Sequence, residues 1–447
     1  MTQAVVVLAA GVGTRMKSSK PKVLHEVAGA PMLCHVVRTA KTLSPTRIVV
    51  VVGPQSDVIR HRLGDFNLEV EFATQQQPRG TADAVAAART HLHGFTGRLI
   101  VLFGDTPLVR PQTLTRLADA GDDKADIRVL GFHSENPQGY GRLVIDEDGE
   151  VVRIVENRDA DPETEKIQFC NSGVIAGDSE LIFGLIEDVT ADNSANEYYL
   201  TDIIEIARSR NLRCAAIVCG ETEALGVNDQ ADRAAAEAGF QSQTRAHAIA
   251  NGVDLPDAEQ VYFSFDTELA PNATIEPFVV FGPGVEVESG AHVRSFSHLE
   301  GCVIRSGASV GPHARIRPGS VIENGARVGN FVEVKQSRIG YGAKASHLSY
   351  IGDADIGDGA NIGAGTITCN YDGKGKHRTV IGKRAFLGSD TILVAPVTVG
   401  ESAMTAAGSV ITSDVPAESL AVARKRQSII KGFAQRYFGR IDRLSGK

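Results

Sequence analysis

Residues 304–334 read IRSGASVGPHARIRPGSVIENGARVGNFVEV, and an aliphatic residue recurs at every sixth position of this stretch. The recurring residues are Ile304, Val310, Ile316, Ile322, Val328 and Val334. Neither a helix, with its period of about 3.6 residues, nor an amphipathic strand, with its period of about two, explains this rhythm. A hexapeptide β-helix does, because each hexad forms one short strand and a turn, and stacked coils bury a shared core. The stretch therefore predicts a rigid β-helical prism.

The same rhythm continues on both sides, from residue 275 to residue 411. The flanking core positions are Ile275, Phe281, Val287, Val293, Leu299, Ile381, Leu387, Leu393, Val399, Thr405 and Ile411. The step shortens to five after Val334 and after Ile351, and residues 369–380 interrupt the count. We expect these irregularities to be absorbed at the corners of the prism.

The chain divides by pattern into two domains and a connection. Residues 1–229 alternate β-branched runs with helical patterns, which predicts an α/β domain with a mainly parallel sheet. The predicted strands are AVVVLAA, RIVVVV, LEVEFA, RLIVLF, IRVLGF and AAIVC. Residues 230–251 are rich in alanine and predict a linking helix. The repeats and a polar, basic tail then occupy residues 252–447.

Composition excludes several classes of protein. The net charge of −8 argues against a general nucleic-acid-binding surface. No apolar run is long enough to cross a membrane, and AVVVLAAG is predicted to be a buried strand and not a signal peptide. The six cysteines show no CxxC or CxxH spacing, which favours free thiols in a reducing compartment. We therefore expect a soluble, cytoplasmic protein with no nucleic-acid or membrane partner.

Two elements of the first domain are candidates for binding phosphate. In LAAGVGTRMKSSKPK, Gly11 and Gly13 follow a predicted strand and would let backbone N–H groups approach an anion, while Arg15 and Lys22 supply positive charge. In VLFGDTPL, Asp105 ends a strand where open α/β sheets bind ligands, and it could hold Mg²⁺. A tight turn with solvated basic residues, and a helix N-cap, are the plainer interpretations of the same residues.

Further motifs accompany these two in a fixed order. They are SSKPKVLH, QQPRGTADA, GYGR, IVENRDA, CNSGV, NEYYLTD and GVND. Together with the hexads, this series resembles the bacterial bifunctional N-acetylglucosamine-1-phosphate uridyltransferase/glucosamine-1-phosphate acetyltransferases over nearly the whole chain. The resemblance implies a Rossmann-like α/β nucleotidyltransferase domain followed by a left-handed parallel β-helix, assembled as a homotrimer. It also implies a place in peptidoglycan and lipopolysaccharide synthesis.

For the first domain, the resemblance implies uridyl transfer from UTP to N-acetylglucosamine-1-phosphate, with Mg²⁺ held by Asp105 and Asn228. The residues it implies for binding UDP-N-acetylglucosamine are Leu8, Ala9, Ala10, Gly11, Arg15, Lys22, Gln75, Gly80, Thr81, Phe103, Gly104, Asp105, Gly141, Glu156, Asn171 and Asn228. One departure is visible, because Val12 stands where members of the family usually carry Lys or Arg. A second basic contact at this point of the loop is therefore not expected.

The register of the repeats predicts two outward columns in the second domain. If each short step only tightens a corner, the core positions Ala345, Ile362, Leu387 and Thr405 share one edge. Two residues beyond them lie His347, Ala364, Ser389 and Ala407, a histidine at the end of a row of small residues. Arg317 and Lys335 are 18 residues apart and would stack on a neighbouring face, where an anion could lie between them. Small corner residues and a solvated histidine are the plainer interpretation.

For the second domain, the resemblance implies acetyl transfer from acetyl-CoA to glucosamine-1-phosphate with His347 as general base. The residues it implies for the sugar phosphate are Arg317, Lys335, Tyr350 and Asn361. Those it implies for acetyl-CoA are Ala364, Asn370, Tyr371, Ser389, Ala407 and Arg424. Two other functions fit the sequence: a monofunctional nucleotidyltransferase whose β-helix only trimerises or regulates, and a scaffold protein with two vestigial sites.

Overall fold

A computed structural model describes residues 2–11, 13–54, 56–119 and 125–445, and the chain forms two compact units. The first unit comprises Met1–His247 with Phe263–Phe265, and the second comprises Ala248–Tyr262 with Asp266–Lys447. Val12, the departure in the phosphate loop, lies outside the described residues. Helix Gln230–Ala250 falls mostly in the first unit.

The first unit is built on a nine-stranded mixed sheet. Its main path runs through strands Cys214–Val218, Ile127–His133, Phe169–Asp178, Arg98–Phe103, Gln3–Leu8, Arg47–Val52 and Glu71–Thr74, with Arg142–Ile145 and Val151–Val155 beside it. A separate pair is formed by Glu26–Val27 and Ala30–Pro31. The α-helices are Met32–Lys41, Asp57–Asp65, Thr81–Ala87, Pro111–Ala118, Ser179–Ile186, Ile203–Ser209 and Gln230–Ala250.

Strand Gln3–Leu8 lies at the centre and decides where the ligand crevice is. It pairs in parallel with Arg47–Val52 on one side and with Arg98–Phe103 on the other. Residues Ala4–Leu8 are buried, as expected for a strand covered by helices on both faces. The loop after Leu8 leads to strands on one side of the sheet, and the loop after Phe103 leads to strands on the other side. The gap between these two loops is a topological switch point, where such sheets bind ligands.

All six predicted strands are present, but the sheet also contains three that the pattern did not predict. Phe169–Asp178 is the most important of these, because it runs antiparallel to both of its neighbours and makes the sheet mixed. Gly173 lies in this strand, and its pairing is irregular between Asn171 and Ile175. A bulge breaks the alternation of apolar and polar residues on which strand prediction depends.

The second unit contains three parallel sheets whose successive strands stack as coils, which confirms the predicted β-helix. The first sheet has Glu268–Leu269, Glu286–Val287, Cys302–Ile304, Ser320–Ile322, Arg338–Ile339, Ala354–Ile356, Thr379–Ile381 and Val397–Val399. The second has Thr274–Ile275, His292–Val293, Ser309–Val310, Arg327–Asn330, Lys344–His347, Asn361–Ile362, Phe386–Leu387, Met404–Thr405 and Leu420–Ala421. The third has Val280–Phe281, His298–Leu299, Arg315–Ile316, Glu333–Lys335, Tyr350–Gly352, Ile367–Cys369, Ile392–Val394 and Val410–Ile411.

The ladder registers show how the short steps are absorbed. Ile322 pairs with Ile339, and Ile339 pairs with Ile356, so the aliphatic core positions stay aligned across both five-residue steps. The predicted edge is also present: Ala345 pairs with Ile362, and Leu387 pairs with Thr405. The irregularities therefore lie at the corners, and the core column continues through the interruption at 369–380.

Beyond the coils, the tail differs from the polar segment that the sequence suggested. Residues Phe433–Leu444 form an amphipathic helix, and its large apolar side chains are exposed. Across the described parts of the chain, no helix combines the length and the apolar character needed to cross a membrane.

Candidate active sites

The loops at the switch point of the first unit enclose a cavity of about 230 Å³. Ten of the predicted residues line it: Leu8, Ala9, Ala10, Gly11, Lys22, Gln75, Gly80, Thr81, Phe103 and Asp105. They come from four separate segments of the chain, which the sheet topology brings to one edge.

Glycines let the backbone of this crevice pack closely. Gly104 donates its N–H to the carbonyl oxygen of Leu8 at 2.9 Å, and an added Cβ there would lie 3.1 Å from that oxygen. Gly80 has a φ of +124°, and a Cβ would lie 2.4 Å from the carbonyl oxygen of Tyr198. A side chain at Gly80 would displace the wall of the cavity, and one at Gly104 would crowd it.

A second cavity, of about 350 Å³, shares Thr81, Phe103 and Asp105 with the first. The remaining predicted residues that line it are Gly141, Glu156, Asn171 and Asn228. Asn171 donates its backbone N–H to the carbonyl oxygen of Gly141 at 2.9 Å, which holds both residues in one wall. The two cavities therefore adjoin at Thr81, Phe103 and Asp105.

Charged side chains meet where the two cavities join. Lys22 Nζ forms an ion pair with Asp105 and donates to Asn228 Oδ1 at 2.9 Å, while Arg15 donates to the same amide oxygen at 2.8 Å. Val227 donates its backbone N–H to the carbonyl oxygen of Asp105. This bond holds the segment that carries Asn228 next to the segment that carries Asp105. Two cations and two oxygen ligands therefore converge on one point.

Glu156 and its neighbours form an acidic wall. Thr201 Oγ1 donates to Glu156 Oε1 at 3.0 Å, and burial raises the pKa of this carboxyl despite that hydrogen bond. Burial, with the charges of Glu156, Glu205 and Asp159, raises the pKa of Asp202 to about 6. Desolvation is the larger cause at both residues, because it penalises the ionised form.

Some residues of this site were not predicted, and two predicted ones lie at its margin. Glu197 lines both cavities, and Tyr199 and Thr201 line the second. All three belong to the motif NEYYLTD, so the signal was present although the individual residues were not singled out. Arg15 and Gly104 do not line either cavity, and reach the site through Asn228 and Leu8 respectively.

In the second unit, the predicted outward column is present at one corner of the coils. Asp390 donates its backbone N–H to the carbonyl oxygen of Ala364 at 2.7 Å, and Gly408 donates to that of Ser389 at 2.8 Å. These bonds stack Ala364, Ser389 and Ala407 in successive coils, all of them at least partly exposed. Small side chains in a row leave a shallow groove along this corner.

His347 lies at the end of this column, one coil before Ala364. Its ring Nδ1 lies 2.7 Å from Asn330 Oδ1, and Asn330 pairs with it in the parallel ladder. Because an amide oxygen only accepts, Nδ1 is the donor of this hydrogen bond, and in the neutral ring Nε2 is then the nitrogen that carries the lone pair. Sequence reasoning did not single out Asn330, although it stands one coil, 17 residues, before His347.

Positive side chains gather on the neighbouring face. Arg317 and Lys335 lie in adjacent coils as predicted, but each already has a carboxylate partner: Glu333 at 2.8 Å and Asp353 at 3.7 Å. Lys376, from the segment that interrupts the repeats, is a third cation that sequence reasoning missed. Lys335, by side-chain contact and by charge, holds the pKa of Lys376 below its ordinary value. Two adjacent ammonium groups form a site that an anion would stabilise.

The other predicted residues of the second unit lie around this face or on the tail. Asn370 contacts Asp353, the ion-pair partner of Lys335, and its Nδ2 lies 3.4 Å from Tyr350 Oη. Asn370 and Tyr350 therefore lie on the same face as Lys335. Asn361 lies in the coil that follows the coil of His347, and it pairs with Lys344 in the parallel ladder. Tyr371 is exposed and donates to the carbonyl oxygen of Gly373, and Arg424 is exposed on the tail.

Comparisons with known proteins find similarity to part of the chain and to its full length. Residues 5–156 match the MobA-like NTP transferase domain. The inositol-1-phosphate CTP transferase from T. maritima covers 52% of the chain and 91% of its own length at 17% identity, with a TM-score of 0.43, too low to bear on function.

Similarity over the full length is much stronger. The chain is 50% identical over 444 residues to the bifunctional protein GlmU of Jannaschia sp. (strain CCS1), covering 99% of this chain and 97% of that protein. It is 51% identical to the bifunctional protein GlmU of Ruegeria sp. (strain TM1040), covering 100% of this chain and 98% of that protein. The chain therefore belongs to the GlmU family of bifunctional proteins, as its ordered motifs and its repeats indicate.

Proposed function

We infer that this chain makes UDP-N-acetylglucosamine in two steps, one in each unit. The second unit transfers the acetyl group of acetyl-CoA to glucosamine-1-phosphate. The first unit then transfers the uridyl group of UTP to N-acetylglucosamine-1-phosphate and releases pyrophosphate. The observation that carries this inference is the match to bifunctional GlmU proteins, with 50% identity over 444 residues in one of them.

The charge cluster of the first unit supports uridyl transfer. A phosphate oxygen of the sugar attacks the α-phosphorus of UTP, and the bond from that phosphorus to the leaving pyrophosphate breaks. Such a reaction needs no covalent enzyme intermediate, so positioning and charge neutralisation carry it. Arg15 and Lys22 would neutralise the phosphates, Gln75 would contact the uracil, and Glu156 and Asn171 would hold the sugar.

Mg²⁺ is the metal we propose for this unit, held by Asp105 and Asn228. Oxygen atoms of both side chains share one cation, Lys22 Nζ, so two hard oxygen ligands meet at one position. Mg²⁺ prefers such ligands and completes its shell with water and phosphate oxygens. Among the described residues, no group of three or more His, Cys, Asp and Glu side chains could hold a metal. The bound ion would supply further charge neutralisation at the phosphates.

The geometry of His347 supports a role as general base in acetyl transfer. Asn330 accepts a hydrogen bond from Nδ1, so the free Nε2 would take a proton from the glucosamine amine. The amine nitrogen then forms a bond to the thioester carbonyl carbon, the carbon–sulfur bond breaks, and CoA leaves as a thiolate that is subsequently protonated. Imidazole suits this step because it exchanges protons near neutral pH.

The two faces of the coil would hold the two substrates of this step. Arg317, Lys335 and Lys376 would bind the phosphate of the sugar, because an anion relieves the repulsion between the adjacent lysines. The row of small residues, with Asn370, Tyr371 and Arg424, would hold acetyl-CoA. Tyr350 and Asn361 would complete the sugar site.

We further propose that copies of the chain associate as a homotrimer in the cytoplasm. An exposed aromatic column on the β-helix supports association. Phe278, Phe296, His313 and Phe331 stack in successive coils at centroid distances of 4.9, 4.9 and 5.1 Å, and Leu348 continues the column. The phenylalanines are 48–55% exposed, an unusual exposure for apolar rings that a partner surface would bury.

The proposed function is tested by assaying both reactions with one preparation of the protein. A thiol reagent should detect CoA release only when acetyl-CoA and glucosamine-1-phosphate are both present. Pyrophosphate should appear when UTP, N-acetylglucosamine-1-phosphate and Mg²⁺ are supplied. Absence of CoA release with intact pyrophosphate release would reduce the chain to a monofunctional nucleotidyltransferase.

A further inference from the structure

The side chain of Gln75 is fixed by its own neighbours. It is 6% exposed, and its Nε2 donates to the carbonyl oxygen of Gly80 at 3.0 Å and to Asp83 Oδ2 at 2.9 Å. A glutamine amide has two N–H donors and one carbonyl acceptor. Both donors are therefore in use, and the orientation of the amide follows from its two acceptor-only partners.

The remaining polar atom of Gln75 is its carbonyl oxygen. Gln75 lines the cavity of about 230 Å³ together with Gly80 and Thr81. Within the described part of the chain, no residue donates a hydrogen bond to Gln75 Oε1. The amide thus offers an acceptor, and no donor, to whatever lies in the cavity.

Asp83 is itself held in place. Arg79 donates from Nε to Asp83 Oδ1 at 3.1 Å and forms an ion pair with the same oxygen through Nη2. The Arg79 guanidinium lies over the ring of Tyr198, 5.6 Å from its centroid. The Asp83 side chain is only 16% exposed, which limits its freedom to turn away from Gln75. Arg79 therefore holds Asp83 in place, and Asp83 in turn holds the side-chain amide of Gln75.

Pyrimidine bases differ at N3, the position that we place opposite this acceptor. Uracil presents an N3–H donor between two carbonyl oxygens, whereas cytosine presents an N3 acceptor beside an amino group. An acceptor opposed to an acceptor leaves two polar groups unpaired in a confined site, which is a strong basis for rejection. We propose that Asp83 is a positioning residue which, through Gln75, makes the site select uridine over cytidine nucleotides. This rests on the proposed uridyl transfer and assigns a residue to its specificity.

The test is the ratio of kcat/KM for UTP to kcat/KM for CTP, measured by pyrophosphate release with N-acetylglucosamine-1-phosphate. Asp83→Leu keeps the shape of the side chain and removes the acceptor, so the ratio should fall about tenfold, as expected for one hydrogen bond to a charged group. Asp83→Asn is the matched control, because its amide oxygen still accepts from Gln75 although the ion pair with Arg79 is lost, and its ratio should fall by no more than about threefold. Thermal unfolding of the same samples reports whether the first unit is folded.

An Asp83→Leu protein that loses activity with both nucleotides in proportion, and so keeps the ratio, would overturn the proposal. If Asp83→Leu does not fold, Arg79→Met decides, because Arg79 is 58% exposed at its side chain and its loss frees Asp83. The ratio for Arg79→Met should fall about threefold, since the hydrogen bond weakens without being removed, and an unchanged ratio would overturn the proposal. A wild-type protein without pyrophosphate release would instead refute uridyl transfer itself.

Discussion

In the first unit, residues between Leu8 and Asn228 reach two adjoining cavities on loops that follow different strands. In the second unit, His347, Ala364, Ser389 and Ala407 occupy one position of a repeated coil, and parallel ladders set their spacing. One site therefore depends on sheet topology, and the other depends on register. A substitution in the site of the first unit affects the loop that carries the residue. A substitution in the site of the second unit affects the coils above and below the residue.

The contrast extends to the way charge is placed. At the switch point, Lys22 contacts both Asp105 and Asn228, which lie far apart in sequence. On the β-helix, Lys335 neighbours Arg317 in one adjacent coil and Asp353 in the other, at steps set by the repeat. The repeat places residues at the same position of successive coils in one column. Lys376 lies outside the repeat and reaches this column from the segment 369–380, which interrupts the coils.

The sharpest test of the contrast is His347→Gln. We expect acetyl transfer to fall by about 10² to 10⁴, the range for loss of a general base, while uridyl transfer stays unchanged. Asn330→Ala should give a smaller loss, because the base remains but its tautomer is no longer fixed. The rates are CoA release and pyrophosphate release from the same samples. An equal fall in both reactions would show that the two sites are not independent.

A smaller effect is expected at the phosphate face. Lys376→Met should raise the KM for glucosamine-1-phosphate about tenfold with little change in kcat, because one cation contact to a phosphate is removed. Lys374→Met, in the same segment, is the matched control and should leave the KM unchanged. Initial rates over a series of sugar-phosphate concentrations measure both constants, and a loss confined to kcat would remove Lys376 from the substrate site.

These effects differ in how far the sequence anticipates them. The period of six predicts the coils, the edge shared by Ala345 and Ile362, and the adjacency of Arg317 to Lys335, because parallel ladders repeat one register. It does not predict Lys376, because an insertion follows no period. In the first unit, the pattern predicts the central strands but not Phe169–Asp178, where a bulge hides the alternation.

The contacts within the first site were also beyond pattern reasoning. The meeting of Arg15 and Lys22 at Asn228 spans more than 200 residues of sequence and depends on tertiary packing. The resemblance to a known family supplied these residues as a set, and the structure brings most of them to the two cavities. Their individual roles stay predictions.

The smallest expected effect is on stability, and it belongs to the first unit alone. Asp202 has a pKa of about 6 in the folded chain against an ordinary 3.8, so between these two pH values the folded chain retains a proton that the unfolded chain has lost. Its contribution to stability is full below a pH of about 4 and is lost as the pH rises to about 6.

Asp202→Asn cannot ionise and should therefore be more stable than the wild type near neutral pH. We expect a gain of about 1 kcal/mol, after allowance for solvent screening of this half-buried carboxyl. Calorimetric unfolding at neutral pH and near pH 4 measures the difference, which should vanish at the lower pH. A gain that persists at low pH would assign the effect to packing and not to charge.

The most direct test of two separate sites is complementation between two variants that each impair one reaction. Asp105→Ala should lack uridyl transfer and His347→Gln should keep at most about 1% of acetyl transfer, so either variant alone should convert little or no glucosamine-1-phosphate to UDP-N-acetylglucosamine. Mixed together with acetyl-CoA, UTP and Mg²⁺, they should form UDP-N-acetylglucosamine through free N-acetylglucosamine-1-phosphate, detected by chromatography. A mixture that forms the final product no faster than the faster of the two variants alone would contradict the assignment of one reaction to each unit.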